Sequence, residues 1–327
     1  MDVKEAFLDS EKLRIQSFLK EFDLDLDKDI TETFYYEENN DIIATVSLSK
    51  HIIKCLAVSE GYQGEQLALK MVNEAISYLH SKQEHFFQVF TKRTYRDLFL
   101  SMGMRLIVES KNVSILESSS YPITSYLSDL KKQLSLESND NGAIVVNCNP
   151  MTLGHLYLIE QAAKQHHNLL LFVLQENRSD FTTEERMALV KLGISHLPNV
   201  IALPSSPYLV SNLTFPSYFL KEDNDRNNEY AYLDALIFKN YFMPLLNIKH
   251  RYIGTETHPI MVTYNKNLKL VLGDSITEIK RIDLDGEPIS ASKVRKLMQT
   301  KQLDEALRLV PENTRMLLSK IYNERFK

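Results

Sequence analysis

The sequence predicts an α/β protein in two parts: an α+β domain first, then a domain whose mainly parallel sheet is flanked by helices. Three observations predict it. At 327 residues the chain has room for two domains of roughly 100–200 residues each. From 118 to 141 the composition turns Ser-rich and charged (SSSYPITSYLSDLKKQLSLESNDN), with one short helical pattern in its middle, and reads as a connection. Beyond it, apolar runs of strand length alternate with helical patterns, which argues for a parallel sheet wrapped by helices. The expected division is residues 1–118, a connection over 119–141, and residues 142–327.

The elements follow in order. Residues 4–22 have helical periodicity, with Phe7, Leu8, Leu13, Ile15, Phe18 and Leu19 offered to one broad face. TFYYEENNDIIATVSLSKHIIKCLAV (33–58) reads as strands, with ENND as a hairpin turn. Residues 61–80 read as a helix, HFFQVFT as a strand, and YRDLFLSMGMRLI as a short helix, a break at Gly103 and a strand; NVSILESS closes the series. In the second part GAIVVN, NLLLFVL, NVIALP and KHRYIG read as strands. Between them lie LGHLYLIEQAAK, TTEERMALVKLGISHL and a largely helical 230–246. Thr182 and Glu185 have capping-box spacing. ISASKVRKLMQT, LDEALRLV and ENTRMLLSKIYNERF end the chain as helices.

Hydrophobic residues make up 44% and charged residues 25%, enough apolar side chain for real cores. A net charge of -5 and a pI near 6.0 give no overall positive field, which argues against nucleic acid bound along the whole surface. Cys55 and Cys148, far apart, make neither a metal-ligand spacing nor a disulfide framework. The charged start MDVKEAFLDSEKLRIQSFLKEF lacks the apolar core of a signal peptide, and no run reaches the ~18 apolar residues that cross a bilayer. A reduced, cytoplasmic setting without membrane contact is expected.

The chemistry-bearing stretch is VVNCNPMTLGHLYLIEQAAK, a strand and a helix joined by a polar turn. In an open α/β sheet, ligands sit beyond the carboxyl ends of the strands, where this turn lies. Its helix start offers free N–H groups to phosphate. Gly154 allows close backbone approach, Thr152 offers a hydroxyl, His155 a ring N–H, and Asn149 lies in the same turn. The T-x-G-H pattern resembles the H/T-x-G-H signature of the nucleotidyltransferase superfamily, which cleaves ATP between the α and β phosphates. ISASKVRKLM (289–298) resembles the I-S-x-S-x-x-R signature of the same superfamily. Ser290, Ser292, Lys293 and Arg295 fall around a helix start, where hydroxyls and cations can surround a triphosphate tail.

The likeness goes further. DGEPISASKVRKL, LTFPSYFLK (213–221), HRYIGTE (250–256) and VTYNKNL (262–268) together resemble the citrate lyase ligase family. That family joins an N-terminal acetyltransferase-like (GNAT-like) domain to a C-terminal, Rossmann-like nucleotidyltransferase domain. The resemblance implies an acid–thiol ligase. Acetate attacks the α phosphorus of ATP, giving acetyl-AMP and pyrophosphate. The thiol of the CoA-like prosthetic group on the citrate lyase acyl carrier protein subunit then takes the acetyl group and releases AMP. Neither step needs an enzyme nucleophile; both need positioning and charge neutralisation. The resemblance implies Thr152 and His155 at the α/β phosphates, Lys293 and Arg295 with Ser290 and Ser292 at the pyrophosphate, and Mg²⁺ arriving with ATP on phosphate and water. Gly254, Thr255 and Glu256, at another carboxyl strand end, are candidates for the adenosine pocket.

Plainer readings stand beside these. His155 can be an ordinary helix histidine, Gly154 a packing glycine, Ser290 only a cap, and Lys293 and Arg295 a solvated face. Cys148 is expected to pack, since adenylation needs no thiol. His166 and His167 are expected at the surface. Asp283 and Asp285 either meet Mg²⁺ or belong to a turn with Gly286. Phe215, Tyr218 and Phe219 either close over a ligand or pack. The N-terminal stretch GYQGEQLALK resembles the acyl-CoA turn Q/R-x-x-G-x-G/A at Gln63 and Ala68, but Gln66 fills the central Gly position. Acetyl-CoA-dependent transfer is therefore not expected; the domain either holds the CoA-like group or the carrier, or is structural. Two other functions share the motifs: an adenylyltransferase that moves AMP onto a phosphorylated acceptor, and a non-catalytic binding module.

Overall fold

A computed structural model describes residues 2–27, 29–62, 65–175, 180–209, 223–284 and 287–326. In chain order the first elements are β1 (Lys4–Glu5), α1 (Asp9–Lys20), β2 (Glu32–Glu38), β3 (Asp41–Ser49), β4 (Ile52–Val58), α2 (Glu65–Ser81), β5 (Gln88–Lys92), α3 (Arg96–Ser101), β6 (Arg105–Glu109), β7 (Val113–Glu117) and α4 (Ile123–Gln133). Then come β8 (Asn141–Val146), α5 (Leu153–Ala163), β9 (Asn168–Val173), α6 (Thr183–Gly193), β10 (Val200–Pro204), α7 (Asp223–Ile237), α8 (Met243–Leu245), β11 (Ile248–Gly254), α9 (Pro259–Leu272), β12 (Ile276–Ile279), β13 (Asp283–Leu284) and β14 (Glu287–Pro288). Helices α10 (Ala291–Gln299), α11 (Leu303–Arg308) and α12 (Arg315–Arg325) close the chain.

The chain forms two compact units, residues 1–126 with α7, and residues 127–209 with 238–327. The division falls inside α4, within the stretch expected to be a connection. Ile123 and Leu127 of that helix are buried, so the short helical pattern in the middle of the Ser-rich stretch is an ordered amphipathic helix.

The first unit is a seven-stranded sheet in the order β1-β2-β3-β4-β5-β7-β6. Only the β4–β5 pair is parallel. Alternation along β2 sorts its side chains: Phe34 and Tyr36 join Met71, Val72, Ala75 and Leu79 of α2, while Tyr35 joins Ile15, Phe18 and Leu19 of α1. The broad apolar face expected over 4–22 is narrower. The helix starts at Asp9, leaving Phe7 and Leu8 outside it, and Leu13 lies on the face away from Ile15 and Leu19; all three are exposed. Strands β4 and β5 pair only through Ile52↔Gln88 and Ile53↔Val89. Beside them lies a cavity of about 300 Å³, lined by Leu24, Cys55, Ala57, Ala68, Phe90 and Leu98 among others.

The second unit holds a five-stranded, wholly parallel sheet in the order β10-β9-β8-β11-β12. The four strand runs that the sequence predicts are β8, β9, β10 and β11; the fifth strand, β12, lies at the sheet edge with Thr277 and Glu278 exposed and has no apolar run to mark it. Its core gathers Ile144, Met151, Leu158, Ile159, Leu189 and Val190 with Ile289, Val294 and Met298. The segment after β14 thus packs on the same apolar mass as the turn after β8. Gly142 meets a special constraint at the start of β8: a Cβ there would lie 2.5 Å from the His166 ring.

Candidate active site

Strand β8 leads to β9 on one side of the sheet, whereas its other neighbour β11 leads to β12 in the opposite direction. A crevice opens beyond the carboxyl ends of such a pair. Residues 147–155 follow β8, and Gly254, Thr255 and Glu256 stand at the end of β11.

Thr152 caps α5. Its Oγ1 accepts the His155 N–H (3.4 Å), and His155 Nδ1 accepts the Thr152 N–H (3.1 Å), a reciprocal box closed by a histidine. The Thr152 hydroxyl lies 2.8 Å from the same Nδ1. With Nδ1 accepting, the neutral ring is assigned its proton on Nε2. Burial, and after it the Arg281 charge, push the His155 pKa down to about 4. At neutral pH the ring is therefore an uncharged Nε2–H donor. Thr152 is only 1% exposed, so its hydroxyl serves the cap and the imidazole.

Two further groups remain for a ligand. The Gly154 N–H meets no acceptor among the described residues, while its neighbour Leu153 donates to the Leu309 carbonyl (2.9 Å). Asn149 Oδ1 is buried and without a partner among the described residues. Gly154 has a packing reason as well. A Cβ there would stand 3.3 Å from the Ile289 carbonyl oxygen, so the start of α5 lies directly against the second motif.

That motif begins with Ser290, which caps α10 by accepting the Lys293 N–H (3.2 Å). Arg295 reaches back to the first motif: Nη1 donates to the Asn149 carbonyl at 2.6 Å. Its Nη2 donates to Ser292 Oγ (3.1 Å), and its Nε pairs with Asp180 (2.9 Å). Lys293 instead pairs with Glu287, which holds that carboxyl below its ordinary range. The structure thus brings Asn149, Gly154, Ser292 and Arg295 together and turns Lys293 toward the exposed Glu287.

At the end of β11 the Gly254 carbonyl accepts Asn265 Nδ2 (3.0 Å), and Thr255 donates its N–H to the Ile279 carbonyl (3.0 Å). Thr255 Oγ1 accepts the Arg281 N–H (3.0 Å), and Glu256 pairs with the Arg281 guanidinium. Burial pushes the Glu256 carboxyl up, against the pull of Arg281. Among the described residues, no three His, Cys, Asp or Glu side chains gather as a metal site.

With this geometry in place, the sequence profile of the citrate lyase ligase C-terminal domain matches residues 141–318. A [citrate [pro-3S]-lyase] ligase from Escherichia coli K12 is 35% identical over 92% of this chain and 88% of its own length. The chain belongs to the citrate lyase ligase family. Within this ligase-family chain, a shorter stretch is similar to a phosphopantetheine adenylyltransferase from Symbiobacterium thermophilum, 38% identical over 19% of this chain and 40% of that protein. A solved acyl-CoA N-acyltransferase from Pseudomonas aeruginosa covers 36% of this chain and 99% of its own, with 11% identity and a TM-score of 0.32. No helix among the described residues is long and apolar enough to cross a membrane.

Other expectations for this family member meet mixed outcomes. Cys148 is fully buried, and burial pushes its thiol pKa up to about 12, against the opposing pull of Arg186, so it has no thiolate to offer. His167 is exposed, but His166 is not at the surface: its side chain is 4% exposed, with Nδ1 2.7 Å from Asp140 and Nε2 2.8 Å from the Tyr252 hydroxyl. The polar dyad HH hid a ring that turns inward over Gly142. Asp283 is exposed. Gln63, Phe215, Tyr218, Phe219 and Asp285 lie outside the described residues.

Three residues beyond the motifs complete the site. Arg186, fully buried, donates to the carbonyls of Asn147 (3.1 Å) and Leu174 (2.7 Å), joining the ends of β8 and β9. The signal for it was present: it shares the buried i, i+3, i+4, i+7 face of α6 with Leu189, Val190 and Gly193. Asp180 and Arg281 occupy polar stretches in which nothing sets them apart.

Proposed function

We propose that this chain is an ATP-dependent acid–thiol ligase that activates acetate as acetyl-AMP and acetylates the carrier thiol of citrate lyase. The observation that carries the reading is the Arg295–Asn149 contact at 2.6 Å, which assembles both ATP motifs at the switch point of a parallel sheet. In the first step an acetate oxygen attacks the α phosphorus, the bond to the bridging oxygen breaks, and pyrophosphate leaves with the electron pair. In the second the thiolate of the CoA-like prosthetic group attacks the acetyl carbonyl, the C–O bond breaks, and AMP leaves.

The residues supply donors and charge. His155 Nε2–H and the Gly154 N–H face the α and β phosphates, with Thr152 orienting the ring. Arg295, Ser290 and Ser292 receive the departing pyrophosphate, joined by Lys293 once it leaves Glu287. Asn149 offers its buried amide to the bound nucleotide, and Gly254, Thr255 and Glu256 border the adenosine side. The His155 ring, held by Thr152, and the Gly154 N–H are fixed donors that act without reorganising during the reaction. Mg²⁺ arrives on the ATP phosphates and water. Residues 142–327 are the catalytic domain, 119–141 the connection and 1–118 the accessory domain. The cavity beside β4 and β5 supports a holding role for the slender prosthetic arm in the accessory domain. The cytoplasm is the compartment we assign.

The test is exchange of labelled pyrophosphate into ATP, with and without acetate and with no carrier protein present. Acetate-dependent exchange is expected. Exchange that ignores acetate but responds to a phosphorylated pantetheine or nucleotide acceptor would replace the ligase with an adenylyltransferase.

A further inference from the structure

Arg281 follows β12 and belongs to neither ATP motif. Its backbone N–H donates to Thr255 Oγ1 at 3.0 Å, which moors it to the carboxyl end of β11. Its side chain passes Gly254, with Nε 3.9 Å from where a Cβ would stand on that residue. The guanidinium then pairs with Glu256. Its charge also reaches His155 and helps keep that ring neutral. Arg281 is thus moored at the carboxyl end of β11, the side of the sheet on which ligands of such folds bind, and its charge acts on the first motif.

The pairing with Glu256 is unlike an ordinary surface bridge. The two side chains are 32% and 17% exposed, so both charges lose part of their hydration. Burial works against the Glu256 charge while Arg281 supports it. A planar guanidinium takes phosphate or carboxylate through parallel N–H bonds, and the carboxylate beside this one is Glu256. We propose that Arg281 is a substrate-binding residue that exchanges its internal counter-ion, Glu256, for an oxyanion of ATP or of acetate. This rests on the acetate-activating reading above.

The experiment compares Arg281→Gln, Arg281→Lys and Glu256→Gln with the full-length parent chain in acetate-dependent pyrophosphate exchange. Arg281→Gln is expected to raise the KM of one substrate at least tenfold. A rise for ATP identifies a phosphate as the oxyanion; a rise for acetate identifies its carboxylate. Glu256→Gln, lacking the competing carboxylate, should lower that KM. Arg281→Lys, which keeps the charge and loses the fork, should raise it at least threefold, and it carries the test if the glutamine variant does not fold. Both KM values within twofold in a folded Arg281 variant would overturn the proposal. So would a rise in Glu256→Gln as large as that in Arg281→Gln, which marks the pair as a structural unit. If the parent chain shows no acetate-dependent exchange, the ligase reading fails by itself. Calorimetric binding of Mg·ATP to parent and Arg281→Gln chains then decides this point, and equal Kd values there reject it.

Discussion

On the mechanism proposed above, His155 performs two separable tasks with its two nitrogens, and two substitutions divide them. Asparagine places an amide oxygen near the Nδ1 position, where it can still accept the Thr152 N–H that now lies 3.1 Å from the ring. Glutamine reaches the Nε2 position with an N–H donor but gives up the cap. Losing one cap hydrogen bond costs about 0.5–1.5 kcal/mol. Losing one preorganised donor to developing phosphate charge costs roughly 10²–10³ in rate. His155→Asn should therefore unfold in urea within about 0.5 kcal/mol of the parent while its acetate-dependent exchange falls at least a hundredfold. His155→Gln should lose about 1 kcal/mol of stability yet exchange several-fold faster than the asparagine variant. Because the ring pKa lies at about 4, the parent rate should show no His155 limb between pH 6 and 7. A folded His155→Asn retaining more than a tenth of the exchange would remove Nε2–H from the mechanism.

Three other outcomes follow from packing and titration. Gly142→Ala forces a Cβ to 2.5 Å from a His166 ring that Asp140 and Tyr252 hold in place, so the urea midpoint should fall by the equivalent of about 1–3 kcal/mol; an unchanged midpoint contradicts the close contact. Cys148, with its pKa pushed up to about 12, should resist iodoacetamide at pH 8 in the native chain, and Cys148→Ala should keep exchange within about threefold; rapid alkylation mapped to Cys148 with loss of exchange would restore a role for the thiol. Burial lowers both His51 and His155 to about 4 from 6.5, so across that window the unfolded chain binds protons that the folded chain refuses, and stability falls with falling pH. Urea midpoints at pH 7 and pH 5 should show this drop, and His155→Asn should show less of it; an equal drop in that variant would exclude His155 as a contributor.

The centre of the parallel sheet was legible because β8 and β9 are covered on both faces and read as near-continuous apolar runs, whereas the edge strand β12, ITEI with Thr277 and Glu278 exposed, gave no such run. The Thr182–Glu185 box was legible because capping is local: Thr182 Oγ1 does accept the Glu185 N–H, at 3.2 Å. The two ATP motifs could be seen because each concentrates its polar residues within one turn and one helix start. What escaped depends on partners far along the chain. Arg281 meets Thr255 and Glu256 across two strand ends, Arg295 meets Asp180, and His166 meets Tyr252 across 86 residues. Periodicity carries no information about such meetings. The division of Thr152 between cap and imidazole was also hidden, since a T-x-G-H pattern is compatible with a hydroxyl turned either way.

The Asn149–Arg295 contact spans 146 residues, and the loop it closes contains most of the second sheet. On the reading proposed above, a ribosome delivers the first half of the nucleotide site long before the second, and a nascent chain stopped between α5 and α10 carries T-x-G-H with nothing to complete it. On that reading ATP affinity waits for α10 rather than building up gradually, since contacts of such sequence separation form late. A nucleotide held by both motifs would fasten α10 to the turn after β8, so it should guard α10 against proteases.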